Sequence, residues 1–257
     1  MNRSRPMEGD TVERVRPYAA LAGGYDLVMT HINYDAWALY VDGLLVRHGD
    51  NVRRVLELGC GTAAIGIELF NYADYDYTGL DRSVEMLKVA QRKAKRLGIG
   101  ATWIAADYSE FTTSEPYDAV LLLYDGLNYA PDLTTVYRLS VRAFEALRPG
   151  GLFVVDQSTP ANSENNSMLF QEDGGDETFW YSRRSRYEAA TRIHRTTFRI
   201  RTRGRTYQEE HVQYAYTAAE VGACLEGAGF EIVASYDGFT VGPALEDSER
   251  IQWVARR

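Results

Sequence analysis

Apolar and polar positions divide the first two thirds of this chain into short apolar runs alternating with amphipathic stretches. A β-type run over residues 52–58 is followed by a glycine turn and by helix-forming residues 63–69. A second run ends at residue 81 and leads into a helix over 83–97. Ser83 caps that helix, Glu85 sits in its first turn, basic residues fill its last turns and Gly98 stops it. A third run, 101–106, and a fourth, 117–123, precede a helix over 132–147 halted by Pro149 and Gly150, and 151–156 reads as a fifth strand. Upstream, residues 34–48 place apolar or aromatic side chains at 34, 37, 38, 41, 44 and 45, the spacing of one helix face. Strands and helices alternating in this order predict an α/β fold with a parallel sheet.

The last third is patterned differently. Residues 157–175 are rich in Asn, Ser, Glu and Gly and read as a long loop. Residues 179–216 alternate as an antiparallel ribbon with a turn near Gly204. Within it, His194, Thr196, Phe198 and Ile200 share one face, and Arg195, Thr197, Arg199 and Arg201 the other. Thr217 and Glu220 form a capping box that opens the last helix. Residues 230–236 and 250–255 make a final strand pair, linked too briefly for a crossover helix and therefore an antiparallel hairpin. Residues 1–10 read as disordered, and 11–27 as a polar segment bearing Tyr18 and Tyr25.

The candidate chemistry collects at the ends of the apolar runs. The first ends in Glu57-Leu58-Gly59-Cys60-Gly61-Thr62-Ala63, a strand, glycine turn and helix layout that lets backbone approach a nucleotide. Alone, Gly59, Gly61 and Ala64 also fit the dinucleotide pattern. Asp81 closes the second run, where a carboxylate can accept from both ribose hydroxyls, a feature that nicotinamide enzymes share. Asp107 and Tyr108 close the third, where a carboxylate can take the exocyclic amine of an adenine. The fourth ends in Tyr124-Asp125-Gly126-Leu127-Asn128-Tyr129. Polar groups at four successive strand ends match ligand binding at the carboxyl edge of an open α/β sheet.

Taken together, these segments resemble the class I S-adenosylmethionine-dependent methyltransferases. Glu57 to Gly61 matches that family's first motif, Gly79 to Leu87 its second-strand segment, Asp107 its adenine-binding acid, and Leu147-Arg148-Pro149-Gly150-Gly151 the turn before strand five. Ala63 stands where many members carry a third glycine, and its methyl is expected to crowd the approach of helix to strand. The resemblance implies a doubly wound, Rossmann-like seven-stranded sheet of order 3-2-1-4-5-7-6 with strand seven antiparallel. It divides one methyltransferase domain, 1–257, into an N-terminal helical lid (1–50), a cofactor-binding core (51–156), an inserted β substrate lid (157–216) and a C-terminal helix and hairpin (217–257). The cofactor implied is S-adenosylmethionine. Glu57, Gly59 and Gly61 would lie near its methionine moiety and Asp81 on its ribose. Arg82 or Met86 would flank the adenine, with Asp107 and Tyr108 at the adenine edge. Tyr18, Tyr25, Tyr34 and Trp37 resemble the lid aromatics that close over the cofactor.

Composition narrows the setting. Two cysteines, Cys60 and Cys224, and four scattered histidines give neither a disulfide framework nor a zinc site. No leading or spanning apolar segment is present, so the expectation is a cytoplasmic protein, with monomer and homodimer both open. The net charge of −8 argues against general nucleic-acid binding. The charge is uneven, however: residues 183–205 hold nine arginines and one acid, a net +8, which leaves −16 on the rest of the chain. A two-stranded ribbon with a solvated arginine face is one reading, and a surface for an anionic substrate or for RNA the other.

The leading expectation is methyl transfer to an O or N atom of a small molecule, by in-line displacement. Asp125 and Asn128 lie where the transferred methyl should sit, and His194 or His211 on the ribbon would be the general base if the acceptor must lose a proton. The alternatives are an RNA or tRNA methyltransferase tracking phosphates on residues 183–205, and a non-catalytic cofactor-binding protein on the same fold. A nicotinamide dehydrogenase is disfavoured by Asp107 and by the C-terminal hairpin.

Overall fold

A short strand, β1 (Val12–Arg14), and a one-turn helix, α1 (Tyr25–Val28), precede the amphipathic helix α2 (Tyr34–His48). The Asn33 side chain caps α2 by accepting from the Ala36 N–H, and the helix buries Trp37, Ala38, Val41, Leu44 and Leu45. The computed structural model describes residues 11–166 and 171–257, so the reading of residues 1–10 lies outside it. Then β2 (Arg54–Leu58), α3 (Ala64–Leu69), β3 (Asp76–Asp81), α4 (Val84–Leu97), β4 (Thr102–Ala105) and β5 (Tyr117–Leu122) alternate as the patterning predicts. Helix α4 has Ser83 as N-cap and Gly98, at φ 70°, as C-cap, and α5 (Leu133–Ala146) is capped by Asp132 accepting from Thr135 N–H.

Strand β6 (Leu147–Ser158) is longer than the expected 151–156, running through the Pro149-Gly150 turn and on to Ser158. Residues 157–175 are not one loop. Pro160 opens a short helix, α6 (Pro160–Asn166), where its missing N–H costs nothing, and β7 (Gln171–Gly175) follows. Nor is the arginine-bearing segment a two-stranded ribbon. It forms β8 (Phe179–Glu188), β9 (Ile193–Thr202) and β10 (Arg205–Tyr214), three antiparallel strands with a turn at Arg192 as well as at Gly204. Both turns hold residues in the left-handed region, Arg192 at φ 55° and Arg203 at φ 52° before Gly204 at 72°. Helix α7 (Ala218–Gly227), with its capping box of Thr217 and Glu220, leads into the antiparallel pair β11 (Glu231–Asp237) and β12 (Arg250–Arg256).

Two sheets result. The larger has the order β11-β12-β6-β5-β2-β3-β4, with β12 antiparallel to both neighbours and the other pairings parallel. Its central strands are buried on both faces. Helices α5 and α7 cover one face around Val120, Leu139 and Phe153, and α2 and α3 cover the other around Val41, Leu121 and Val154. The smaller sheet, β1-β10-β9-β8-β7, buries Phe179, Tyr181, Phe198 and Ile200 against Leu21 and Val28 of the N-terminal segment. The predicted alternation in β9 holds: His194, Thr196, Phe198 and Ile200 are all buried.

Candidate active site

The turn after β2 is built on left-handed backbone. Gly59 (φ 64°), Gly61 (φ 56°) and Ala63 (φ 53°) all occupy it, so the place of the third glycine is a demand for conformation. The Ala63 methyl is accommodated in a small buried cluster with Ile67 and Ala90. A Cβ on Gly61 would lie 3.2 Å from Met86 Cε, so glycine keeps this wall open. Gly61 N–H donates to Asp81 Oδ2 (2.8 Å) and Ser83 N–H to Asp81 Oδ1 (2.7 Å), which fixes the carboxylate at the end of β3. Burial nonetheless pushes the Asp81 carboxyl above its ordinary range. Glu57, at the end of β2, is deeper still; burial raises its pKa to about 7, against the opposing hydrogen bond from the Tyr77 hydroxyl. Tyr77 reaches it because α3 presents Gly66, where any Cβ would sit 2.3 Å from the phenol oxygen.

These groups wall a cavity, open to solvent, at the carboxyl ends of β2, β3, β4 and β5. Glu57, Gly59, Gly61, Asp81, Arg82, Met86 and Tyr108 line it, as does Cys60, whose thiol is pushed up by burial. The opposite wall is Tyr18, Tyr25 and Tyr34 from the N-terminal segment, and Tyr124 and Tyr129 from the loop after β5. That N-terminal wall is fastened at both ends. Arg16 pairs with Glu85 of α4, and Asp26 of α1 accepts from the Thr62 hydroxyl (2.7 Å) and pairs with Lys93 (2.8 Å). Two expected cofactor residues stand outside this lining. Asp107 accepts from the N–H and hydroxyl of Ser109 and shapes the turn that offers Tyr108, while Trp37 packs behind Tyr124 at a ring distance of 5.7 Å.

A second, larger cavity shares Tyr18, Tyr25, Tyr124 and Tyr129 with the first. Asp125, Asn128, His194 and His211 all border it, together with Trp37, Arg183 and Arg250. Asn128 is buried and spent on structure: its amide donates to Ser158 and Tyr214 carbonyls (both 2.8 Å) and accepts from Ser158 N–H (3.1 Å). Asp125, at φ 63°, pairs with Arg250 (2.7 Å), which also holds the fully buried Asp156, whose Oδ2 accepts from Asp125 N–H. His194 meets the Ser163 hydroxyl at 3.3 Å, and burial lowers its pKa. His211 stands between Tyr129 (3.0 Å from Nδ1) and Glu209 (3.0 Å from Nε2).

Residues 55–151 match the family model of a methyltransferase domain. Over 93% of this chain and 99% of its own length, a Geobacillus sp. (strain WCH70) protein assigned as a methyltransferase is 27% identical. Residues 55–151 form a methyltransferase domain, and the chain as a whole is similar to methyltransferases. The crystal structure of an S-adenosylmethionine-dependent methyltransferase from Clostridium acetobutylicum superposes with a TM-score of 0.77 at 21% identity, covering 93% of this chain and 98% of that one. CalS10, an amino pentose methyltransferase of Micromonospora echinaspora solved with its cofactor bound, gives 0.68 at 22%, covering 91% and 96%.

The methyltransferase uses its arginines mainly outward. Arg184, Arg186, Arg199, Arg203 and Arg205 are exposed, Arg192, Arg195 and Arg201 are half-buried, and only Arg183, among the described residues of this group, is buried. Arg183 borders the second cavity and pairs with Glu172 (2.8 Å). Sequence reasoning missed Glu209, Arg250 and Asp156. The first left a trace: Glu209 and His211 are two apart on β10 and therefore share a face, and an acid on the inward face of a strand is a costly choice that asks for a partner.

Proposed function

We propose that this methyltransferase moves the methyl group of S-adenosylmethionine onto an oxygen or nitrogen of a small polar molecule held in the second cavity. One observation carries the reading: the two cavities meet at the strand ends and share four tyrosines, so a cofactor in one and an acceptor in the other would face each other there. The first cavity fits the cofactor by its donor set. The Asp81 carboxylate keeps lone pairs for ribose hydroxyls, the glycine turn admits close backbone approach, and Glu57 supplies a buried acid for a cationic amino-acid moiety.

When bound, the cofactor supplies an electrophilic methyl on a sulfonium. The protein's task is then alignment and exclusion of water, which the fastened N-terminal wall and the tyrosines perform. An acceptor hydroxyl or ammonium must shed a proton, and His211 is the group placed to take it, through Tyr129. The acceptor wall offers hydroxyl and amide groups, among them Ser163, Ser185, Thr196 and Gln213. Its cations already face acids, Arg183 on Glu172 and Arg250 on Asp125 and Asp156, which favours a neutral polar acceptor or an amine over an anion. A sugar amine or hydroxyl satisfies these terms, in keeping with CalS10.

The decisive experiment incubates the protein with isotope-labelled S-adenosylmethionine and a panel of hydroxyl- and amine-bearing small molecules, alongside bulk tRNA. Labelled small-molecule product is expected. Label confined to tRNA would overturn the reading.

A further inference from the structure

Glu209 is fully buried on β10, and its carboxylate is saturated by donors from two directions. Oε1 accepts from Ala20 N–H (2.6 Å) and Leu21 N–H (2.9 Å), and Oε2 accepts from Tyr18 N–H (2.7 Å). The fourth contact, from Oε2, is to His211 Nε2 at 3.0 Å. A carboxylate only accepts, so this contact places a proton on Nε2 and leaves Nδ1 of a neutral imidazole bare. Nδ1 faces the Tyr129 hydroxyl at 3.0 Å, so Tyr129 donates to it. The Tyr129 oxygen then accepts from the Tyr18 hydroxyl at 2.6 Å. All hydrogens in the chain Tyr18, Tyr129, His211, Glu209 therefore point the same way, from the shared wall of the two cavities inward to the buried acid. Tyr18 closes a ring, since its hydroxyl begins the chain and its N–H ends on Glu209.

The ring depends on how the N-terminal segment lies. Tyr18 has φ 65°, a conformation that is unfavourable for a non-glycine residue and persists only where surroundings enforce it. The enforcing group is Glu209, which holds three backbone N–H groups within four residues. The segment cannot lift from β10 without stranding a buried charge and removing the first hydroxyl of the chain.

We infer that Glu209 is a positioning residue that docks residues 18–21 and fixes the His211 tautomer together, so that the proton relay exists only while the N-terminal wall is closed. The inference rests on the reading of His211 as proton acceptor. As the acceptor's lone pair forms its bond to the methyl carbon, the carbon–sulfur bond breaks and its electron pair goes to sulfur. The acceptor's proton passes to the Tyr18 oxygen as the Tyr18 hydroxyl proton passes to Tyr129 and that of Tyr129 to Nδ1. His211 ends as an imidazolium beside Glu209, and both phenols end neutral, as they began. Burial holds the Tyr18 and Tyr129 phenols well above their ordinary range, so they pass protons without resting as phenolates.

Two measurements on the full-length protein test this. The first is the ring ¹⁵N spectrum of His211, one of four histidines and assignable by substitution. The unaltered protein is expected to show the Nε2–H tautomer, and an Nδ1–H tautomer there would overturn the inference without any variant. The second compares amide hydrogen exchange over residues 18–21 in the unaltered protein and in Glu209→Gln, whose amide cannot accept from all four donors. Exchange roughly tenfold faster or more, with a shifted His211 tautomer, is expected; unchanged exchange would overturn the inference. Should that variant not fold, Tyr129→Phe removes the donor to Nδ1 and the acceptor of the Tyr18 hydroxyl but none of the Glu209 contacts, and must move the Nδ1 resonance while leaving exchange over 18–21 slow. The underlying reading is tested apart: His211→Gln with undiminished turnover on the acceptor found by the labelling screen would remove the proton-acceptor role and leave the docking by Glu209 standing.

Discussion

At the scale of single residues, Glu57 has the clearest consequence for pH. Its pKa of about 7 exceeds the ordinary 4.5 because burial penalises the ionised form more than the Tyr77 hydroxyl relieves it. The folded protein therefore binds this proton more tightly than the unfolded chain does. The resulting stabilisation is complete below about pH 4.5 and is lost as pH rises to about 7. A difference of this size corresponds to at most roughly 3 kcal/mol. Glu57→Gln keeps an acceptor for Tyr77 and removes the titration, so the cofactor-free variant is expected to be flatter in stability than the unaltered protein between pH 5 and 7.5. Urea denaturation at both pH values reads the difference, and parallel pH profiles would show that Glu57 is already ionised in the fold.

Among the elements, helix α7 shows how far local chemistry reaches. Its capping box joins Thr217 to Glu220, and Glu220 also receives both terminal nitrogens of Arg192 (2.7 and 2.8 Å) from the turn between β8 and β9. The Arg192 bond is the main reason the Glu220 carboxyl falls to about 2. One cap thus ties the smaller sheet to the larger. Thr217→Ala is expected to cost about 1 kcal/mol, seen as a lowered Tm with cofactor affinity unchanged. The caps at Ser83 and Thr217 were legible because each is a contact within three residues. Residues 160–166 and 171–175 were not. Their composition is that of a loop, and they are ordered by what they meet: Thr159 on the Ser248 carbonyl, and β7 on β8. Strand β1 was missed for the same reason, since three residues pairing with β10 carry no period of their own.

Across the whole molecule, the cofactor wall was readable because parallel strands present their ends at one edge, so sequence order alone brings Glu57, Asp81 and Tyr108 together. On the acceptor wall Asp125, Asn128, His194 and His211 were readable, but Glu209, Arg250 and Asp156 were not, because the contacts they make are remote. Tyr18 and Glu209 are 191 residues apart, and Arg250 lies 94 and 125 residues from Asp156 and Asp125. Arg250 holds the last strand, β6 and the loop after β5 in one ion cluster, with its guanidinium 5.7 Å from the Trp37 ring centre. Arg250→Met would leave two acids facing each other, one fully buried, and is expected to cost about 3–5 kcal/mol, with part recovered by adding Asp156→Asn. Chemical denaturation of the single and double variants measures both terms, and a cost under 1 kcal/mol would show that the cluster is solvated. The burial of Cys60 and Cys224, the chain's two thiols, has a practical side. Thiols raised and shielded in this way react slowly with maleimides. A dye placed on a new surface cysteine beside Arg16 would then report the N-terminal wall alone, with both native thiols left in place.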